Sequence, residues 1–120
     1  MSLIDTPDMS YLERYLDVAA FRQTLIAANL ANLDTPGYQT RDVSFQSEMV
    51  RASLDDYQEP VRPFVRPVMG LMERPDGNNV SLDRESLLLA QTQIQYKIAI
   101  ELMKAEFHTM RGAINDGVES

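Results

Sequence analysis

The chain has no cysteine and no tryptophan, and a single histidine, His108. Without cysteine it has neither disulfides nor a thiolate metal site to stabilise it. With one histidine it cannot build a His-based metal cluster. A catalytic triad needs a nucleophile in a recognisable setting beside that histidine, and none is present. No apolar run approaches the roughly 18 residues that span a bilayer, so the chain is not expected to cross a membrane. Glycine is sparse and isolated: Gly70 and Gly77 open no phosphate-cradling loop. Asp76-Gly77-Asn78 lacks the further oxygen ligands and the terminal glutamate spacing of a calcium loop.

Basic residues are also few. Eleven Lys and Arg stand against 18 Asp and Glu, a net charge of −7. The cations are scattered, with a loose set at Arg62, Arg66 and Arg74, so a nucleic-acid partner is excluded. The start, Met1-Ser2-Leu3-Ile4-Asp5-Thr6-Pro7, lacks the basic region and apolar stretch of a cleaved secretory signal. That implies the cytoplasm, or export by a machine that reads a different kind of N-terminus. Asp55, Asp56 and Glu59 could pair for acid–base work, but they fall in a loop where nothing rigid holds them. Met103 and Met110 fit a helix face and imply packing, not a cofactor. No catalytic residue, cofactor, metal or small-molecule substrate is expected.

What remains is a 120-residue chain, 44% apolar, with a modest core of its own. Thr6-Pro7 suits a helix start, Thr as cap and Pro at the first position, with Asp5 and Asp8 near the positive helix end. Leu12, Leu16, Ala19, Leu25 or Ile26, and Leu30 then recur at three- and four-residue steps. Tyr11, Tyr15, Val18 and Ala28 flank them. This pattern predicts a helix from about Pro7 to Leu33 whose apolar stripe is wide enough for more than one neighbour. Pro36 lacks a backbone donor and restricts Thr35 to extended geometry, so the helix closes near Leu33 or Asp34. Pro36-Gly37 suits the centre of a type II turn. The Asn29 and Asn32 amides are expected to satisfy backbone groups at the helix end.

From Gln39 to Asn79 the composition changes. Pro60, Pro63, Pro67, Pro75, Gly70 and Gly77 forbid a long regular element. Short extended pieces are expected around Gln39–Phe45 and Val65–Leu71. A brief helix is expected near Ser44–Leu54, with Phe45, Met49 and Ala52 on one face. Asp76-Gly77-Asn78-Asn79 is a turn signal. Ser81 or Asp83 then caps a second long helix, from about Leu82 to Ile114. Its sequence offers two apolar rows, Leu87–Ile94–Ile98–Leu102–Ala105 and Tyr96–Ala99–Met103–Phe107–Met110–Ile114. The fold expected is mainly α: two long terminal helices in an antiparallel, coiled-coil-like pair, joined by a proline-punctuated arm with little β. Residues 1–38, 39–79 and 80–120 are its segments, in one structural unit. Paired with each other, the two helices still leave apolar side chains uncovered, which marks an interaction surface.

Thr-Pro-Gly alone is common punctuation. The longer string Ala28-Asn29-Leu30-Ala31-Asn32-Leu33-Asp34-Thr35-Pro36-Gly37-Tyr38 resembles the signature of the bacterial flagellar axial family, the rod and hook proteins. Arg41-Asp42-Val43-Ser44-Phe45 and the stretch Asp76-Gly77-Asn78-Asn79-Val80-Ser81-Leu82-Asp83-Arg84-Glu85 look most like its proximal rod branch, as do Gln95-Tyr96, Glu101-Leu102-Met103 and Phe107. Leu30 and Leu33 depart mildly, standing where relatives often carry Ile and a small residue.

The resemblance implies a structural protein without enzymatic activity. It also implies export through the flagellar type III apparatus and a place in the periplasmic rod. The implied partners are self copies, other rod proteins, the rod-base adaptor, the MS ring and the export gate. Asn29, Asn32, Thr35, Pro36, Gly37 and Tyr38 are expected to fix the turn. Leu16, Ala19, Leu25 and Leu30 at the front, and Ile94, Ile98, Leu102 and Phe107 at the back, are expected to carry the assembly interface. The competing reading is a free-standing helical adaptor that binds one partner helix outside any filament.

Overall fold

The computed structural model describes residues 7–54 and 62–119. Helix α1 runs Pro7–Ala31, strand β1 Arg41–Val43, helix α2 Phe45–Leu54, strand β2 Val65–Pro67 and helix α3 Leu82–Glu119. Thr6 and Asp5, expected at the head of α1, lie outside the described residues, as do Asp55, Asp56 and Glu59. No helix among the described residues is long and apolar enough to cross a membrane.

The helix starts follow local chemistry. Ser44 Oγ accepts the Ser47 amide at 3.3 Å and so caps α2. Ser81 Oγ accepts the Arg84 amide at 3.2 Å, which makes Ser81, not Asp83, the cap of α3. α1 stops at Ala31, two residues short of the expected Leu33. The chain leaves through Leu33 N–H to Leu30 C=O at 3.2 Å, a tightened last turn. α3 exceeds its expected end at Ile114, passing Gly112 and Gly117 to Glu119. A glycine costs a helix interior only about 1 kcal/mol, too little to end one this long.

Asn29, in the last turns of α1, donates to Glu85 in the first turns of α3. The two helices pack along their lengths from there, antiparallel. α3, at roughly 57 Å, outruns α1, at roughly 38 Å, so beyond about Phe107 it projects past Pro7. The molecule is accordingly a rod, 71 × 26 × 18 Å, with a radius of gyration of 18.6 Å. A compact chain of this length would have about 14 Å.

α1 is the element that α2, β1 and α3 all pack against. On one side Val18 is fully buried with Val43 of β1 and Met49 of α2, walled by Tyr15, Phe21, Leu25 and Phe45. The Tyr15 and Phe45 rings meet edge-on, with centroids 4.6 Å apart. About a quarter turn round the helix, Ala19 and Ile26 are buried, seven residues apart on the row that also holds Leu12, Leu16 and Leu30. That row faces α3, which buries Thr92 and Ala99 at the same spacing. The sequence predicts for the middle segment a proline-punctuated arm between the two helices. It folds back on α1 and supplies Val43 and Met49 to the small core.

β1 and β2 pair antiparallel, with Arg41 opposite Pro67, Asp42 opposite Arg66 and Val43 opposite Val65. Glu48 ties this sheet and α2 to α1. Its buried carboxylate accepts from Arg14 at 3.3 Å, from Arg51 at 2.6 Å and from the Phe64 amide at 2.8 Å. A carboxylate that is nearly sealed from water is tolerable only with such partners.

Candidate functional site

Two features stand out: a polar lock where α1 hands over to the middle segment, and the outward face of α3.

The lock is built from two turns laid against each other. Tyr38 N–H donates to Thr35 C=O at 3.2 Å, closing a turn with Pro36 and Gly37 at its centre. Gly37 has φ 76°, the value that a type II turn requires at that position. Opposite it, Gly77 N–H donates to Arg74 C=O at 2.8 Å, and Gly37 N–H donates to Asp76 C=O at 2.9 Å. Gly77, at φ 86°, lies so close that a Cβ there would meet Gly37 Cα at 3.3 Å. The two glycines therefore let backbone touch backbone.

Four asparagines complete the lock. Asn29, 1% exposed, uses its whole hydrogen-bonding capacity. Its Nδ2 donates to Arg41 C=O at 2.9 Å and to Glu85 Oε2 at 3.2 Å. Its Oδ1 accepts the Arg41 amide and the Tyr38 hydroxyl, each at 3.2 Å. One side chain thus joins α1, β1, the turn and α3. Asn32 stays local, donating to Ala28 C=O at 2.8 Å and accepting from Thr35 Oγ1 at 3.0 Å. Asn78 is sealed; its amide donates to Asn32 C=O at 2.9 Å and Thr35 C=O at 2.8 Å, a second bond for two carbonyls that already accept the Thr35 and Tyr38 amides of the turn. Asn79 Oδ1 accepts the Thr40 amide at 2.7 Å. Arg74 adds bonds to Val80 C=O, at 3.0 Å, and to Leu33 C=O.

A charged strand of the same network runs from Arg22 through Asp42 and Arg84 to Glu85. Arg22 holds Asp42 with two bonds of 3.0 Å. Arg84 reaches Asp42 at 2.8 Å and the fully buried Glu85 at 2.6 Å. Burial pushes the Asp42 carboxyl up. The hydrogen bond and charge of Arg22, the Val43 amide and Arg84 outweigh it and hold Asp42 below its ordinary value.

Of these residues, sequence reasoning picked out Asn29, Asn32, Thr35, Pro36, Gly37 and Tyr38, and the structure brings them into one junction. That reasoning assigned no part in the junction to Arg22 or Arg74, nor to Asp42, Asn78, Asn79, Arg84 and Glu85, which it quoted only as turn former or carriers of the resemblance. The signal was the resemblance itself: the stretches Arg41 to Phe45 and Asp76 to Glu85 that carry it hold Asp42, Asn78, Asn79, Arg84 and Glu85. The polar side chains of the lock bond to one another and to its backbone, and among the described residues no group of three His, Cys, Asp or Glu side chains could hold a metal. Its chemistry is fastening.

The second feature is apolar. Ile94 is 60% exposed, Ile98 54%, Leu102 52% and Phe107 44%. Of the front residues, Leu16 and Leu30 are half-buried, Leu25 walls the Val18 cluster and Ala19 is covered within its own chain. The two apolar rows of α3 therefore part company. The row through Ala99 and Met103 turns toward α1, while Leu87, Ile94, Ile98 and Leu102 face solvent.

A helix pair with its junction fastened at one end and its outer face left apolar is a building-block design. The family model described as "Flagella basal body rod protein" matches residues 17–39, from the middle of α1 through the turn. The flagellar basal body rod protein FlgB of Bacillus subtilis is 32% identical to this chain, over 88% of it and 92% of the relative. The FlgB of Escherichia coli is 30% identical over 91% of this chain and 94% of its own, and that of Salmonella typhimurium is 28% identical over the same shares. The chain belongs to the FlgB family of flagellar basal body rod proteins.

Proposed function

We propose that this chain is a structural subunit of the proximal rod, without catalytic role. It leaves the cytoplasm through the flagellar type III export apparatus and assembles in the periplasm, through its terminal helices, into the axial drive-shaft tube. Its neighbours there are further copies of itself and other rod proteins, with the rod-base adaptor, the MS ring and the export gate at the base. One observation carries this reading: α3 covers one apolar row against α1 and leaves a second, Leu87 to Leu102, in water. A lone chain gains nothing from that surface, and neighbours that bury it gain about 25 cal/mol per Å².

Leu102→Asp tests it. The side chain is exposed in the single chain, so helicity and solubility should be unchanged. In an assembled seam the charge is buried without a partner, and incorporation into basal bodies and motility should be lost. Motile cells whose purified basal bodies contain the variant would refute the placement of the seam. A soluble stoichiometric complex with one partner helix, measured by light scattering in the absence of any ordered polymer, would favour a free-standing adaptor instead.

A further inference from the structure

The outward face of α3 carries a charge pattern as well as an apolar row. Its seam runs Leu87, Ile94, Ile98, Leu102 and Ala105. Along one flank Lys97, Lys104 and Arg111, all exposed, recur every seven residues. These include the only two lysines of the chain. Two α3 helices paired antiparallel through this face would set cationic flank against cationic flank, with Lys97 near Lys97, and repel. The cationic flank instead suits a helix whose exposed charge is acidic.

The outward face of α1 has the complementary chemistry. Glu13 and Asp17 are exposed in its first half, followed by exposed Ala20, Thr24, Ala27 and Ala31 at alternating three- and four-residue steps. The arginines of α1 are turned elsewhere, Arg14 to Glu48 and Arg22 to Asp42. Exposed charge on the described part of this helix is therefore acidic only. Laid antiparallel, the large side chains Leu87 to Ile98 fall on the small ones Ala31 to Ala20, Lys104 falls beside Glu13, and Asp17 falls opposite Glu101 with Lys97 and Lys104 about a turn to either side. The lengths agree, about 22 Å from Leu87 to Leu102 and about 21 Å from Asp17 to Ala31. Glu101, also on this face, is already held by Lys104 at 3.4 Å.

We propose that the outward face of α3 in one copy docks antiparallel on the outward face of α1 in a second copy, with Lys97 and Lys104 answering Asp17 and Glu13. This rests on the rod-subunit reading and names the partner of its exposed seam. Because the two faces belong to opposite sides of the same subunit, the contact is heterologous and leaves both end copies with a free face, which propagates a stack.

The absence of native cysteine gives a direct test. Thr24→Cys and Ile94→Cys in one chain point away from the intrachain helix contact, so a short bismaleimide can join them only between copies. Isolated basal bodies should yield covalent dimers of this chain. A pair moved to α2, Gln46→Cys with Ile94→Cys, should yield none. Separately, Lys97→Glu with Lys104→Glu should lower incorporation, as should Glu13→Lys with Asp17→Lys, and the fourfold variant should recover it. Absence of the dimer, or cross-links to a different protein only, would overturn the pairing; so would failure of the fourfold variant to recover. If Leu102→Asp still blocks assembly in those cases, the rod reading stands and only the partner is wrong. A harmless Leu102→Asp would remove both.

Discussion

Asn29→Ala is expected to be among the most damaging single changes in the chain, although it removes only one small side chain. The amide is 1% exposed and makes four hydrogen bonds. Tyr38 is half-buried and Arg41 exposed, so their stranded groups can recover part of the loss through water. Glu85 is fully buried, and its Oε2 keeps no other bond in the lock. Removing the partner of a buried polar group costs about 1–3 kcal/mol, more for a charged one, which sums to about 2–4 kcal/mol here. That is a large share of the 5–15 kcal/mol typical of whole domains. Urea unfolding followed by far-ultraviolet circular dichroism reads it as a drop in midpoint. Asn32→Ala is the control, since its two bonds are local and near solvent; it should cost under about 1 kcal/mol. Equal midpoints for the two variants would refute the claim that Asn29 fastens four elements while Asn32 fastens one.

Three further outcomes follow from the geometry. Asp42 has a folded-state pKa below its unfolded one, so its contribution is complete above about pH 4 and is lost as pH falls through the lower folded value; Asp42→Asn should flatten that acid limb in a pH series of denaturation midpoints. Gly77→Ala should destabilise by about 1–3 kcal/mol, from positive φ plus the close approach to Gly37, and by more than Gly37→Ala, where a Cβ meets open space. Gly112→Ala, in the interior of α3 with nothing within 4 Å of the new Cβ, should stabilise the helix by up to about 1 kcal/mol, read as a higher melting temperature.

Much of this architecture is legible in the residues, for reasons that differ by element. The long helices announce themselves by period, and Pro36-Gly37 by the conformations those two residues favour. Which row of α3 turns inward is not legible, because Ala99–Met103 and Ile94–Ile98 are comparably apolar; the choice is made by where Asn29 meets Glu85, a contact between residues 56 apart. The lock escaped for the same reason. Asn78 reads as a turn former, and nothing local reveals that its amide serves the carbonyls of Asn32 and Thr35. Asp42 and Arg22 look like ordinary solvated charge until β1 is laid on α1. The two ends of α1 and α3 were misjudged by a few residues, since a single glycine or a single capping carbonyl shifts a helix end by little free energy.

The central claim is that one copy leaves its α3 seam in water and its neighbours close it. Ile98→Cys, in a chain otherwise free of thiols, measures this directly by its rate of reaction with a maleimide. The rate should be that of an exposed thiol in the free subunit and should fall sharply in isolated basal bodies. Equal rates in the two states would contradict the account.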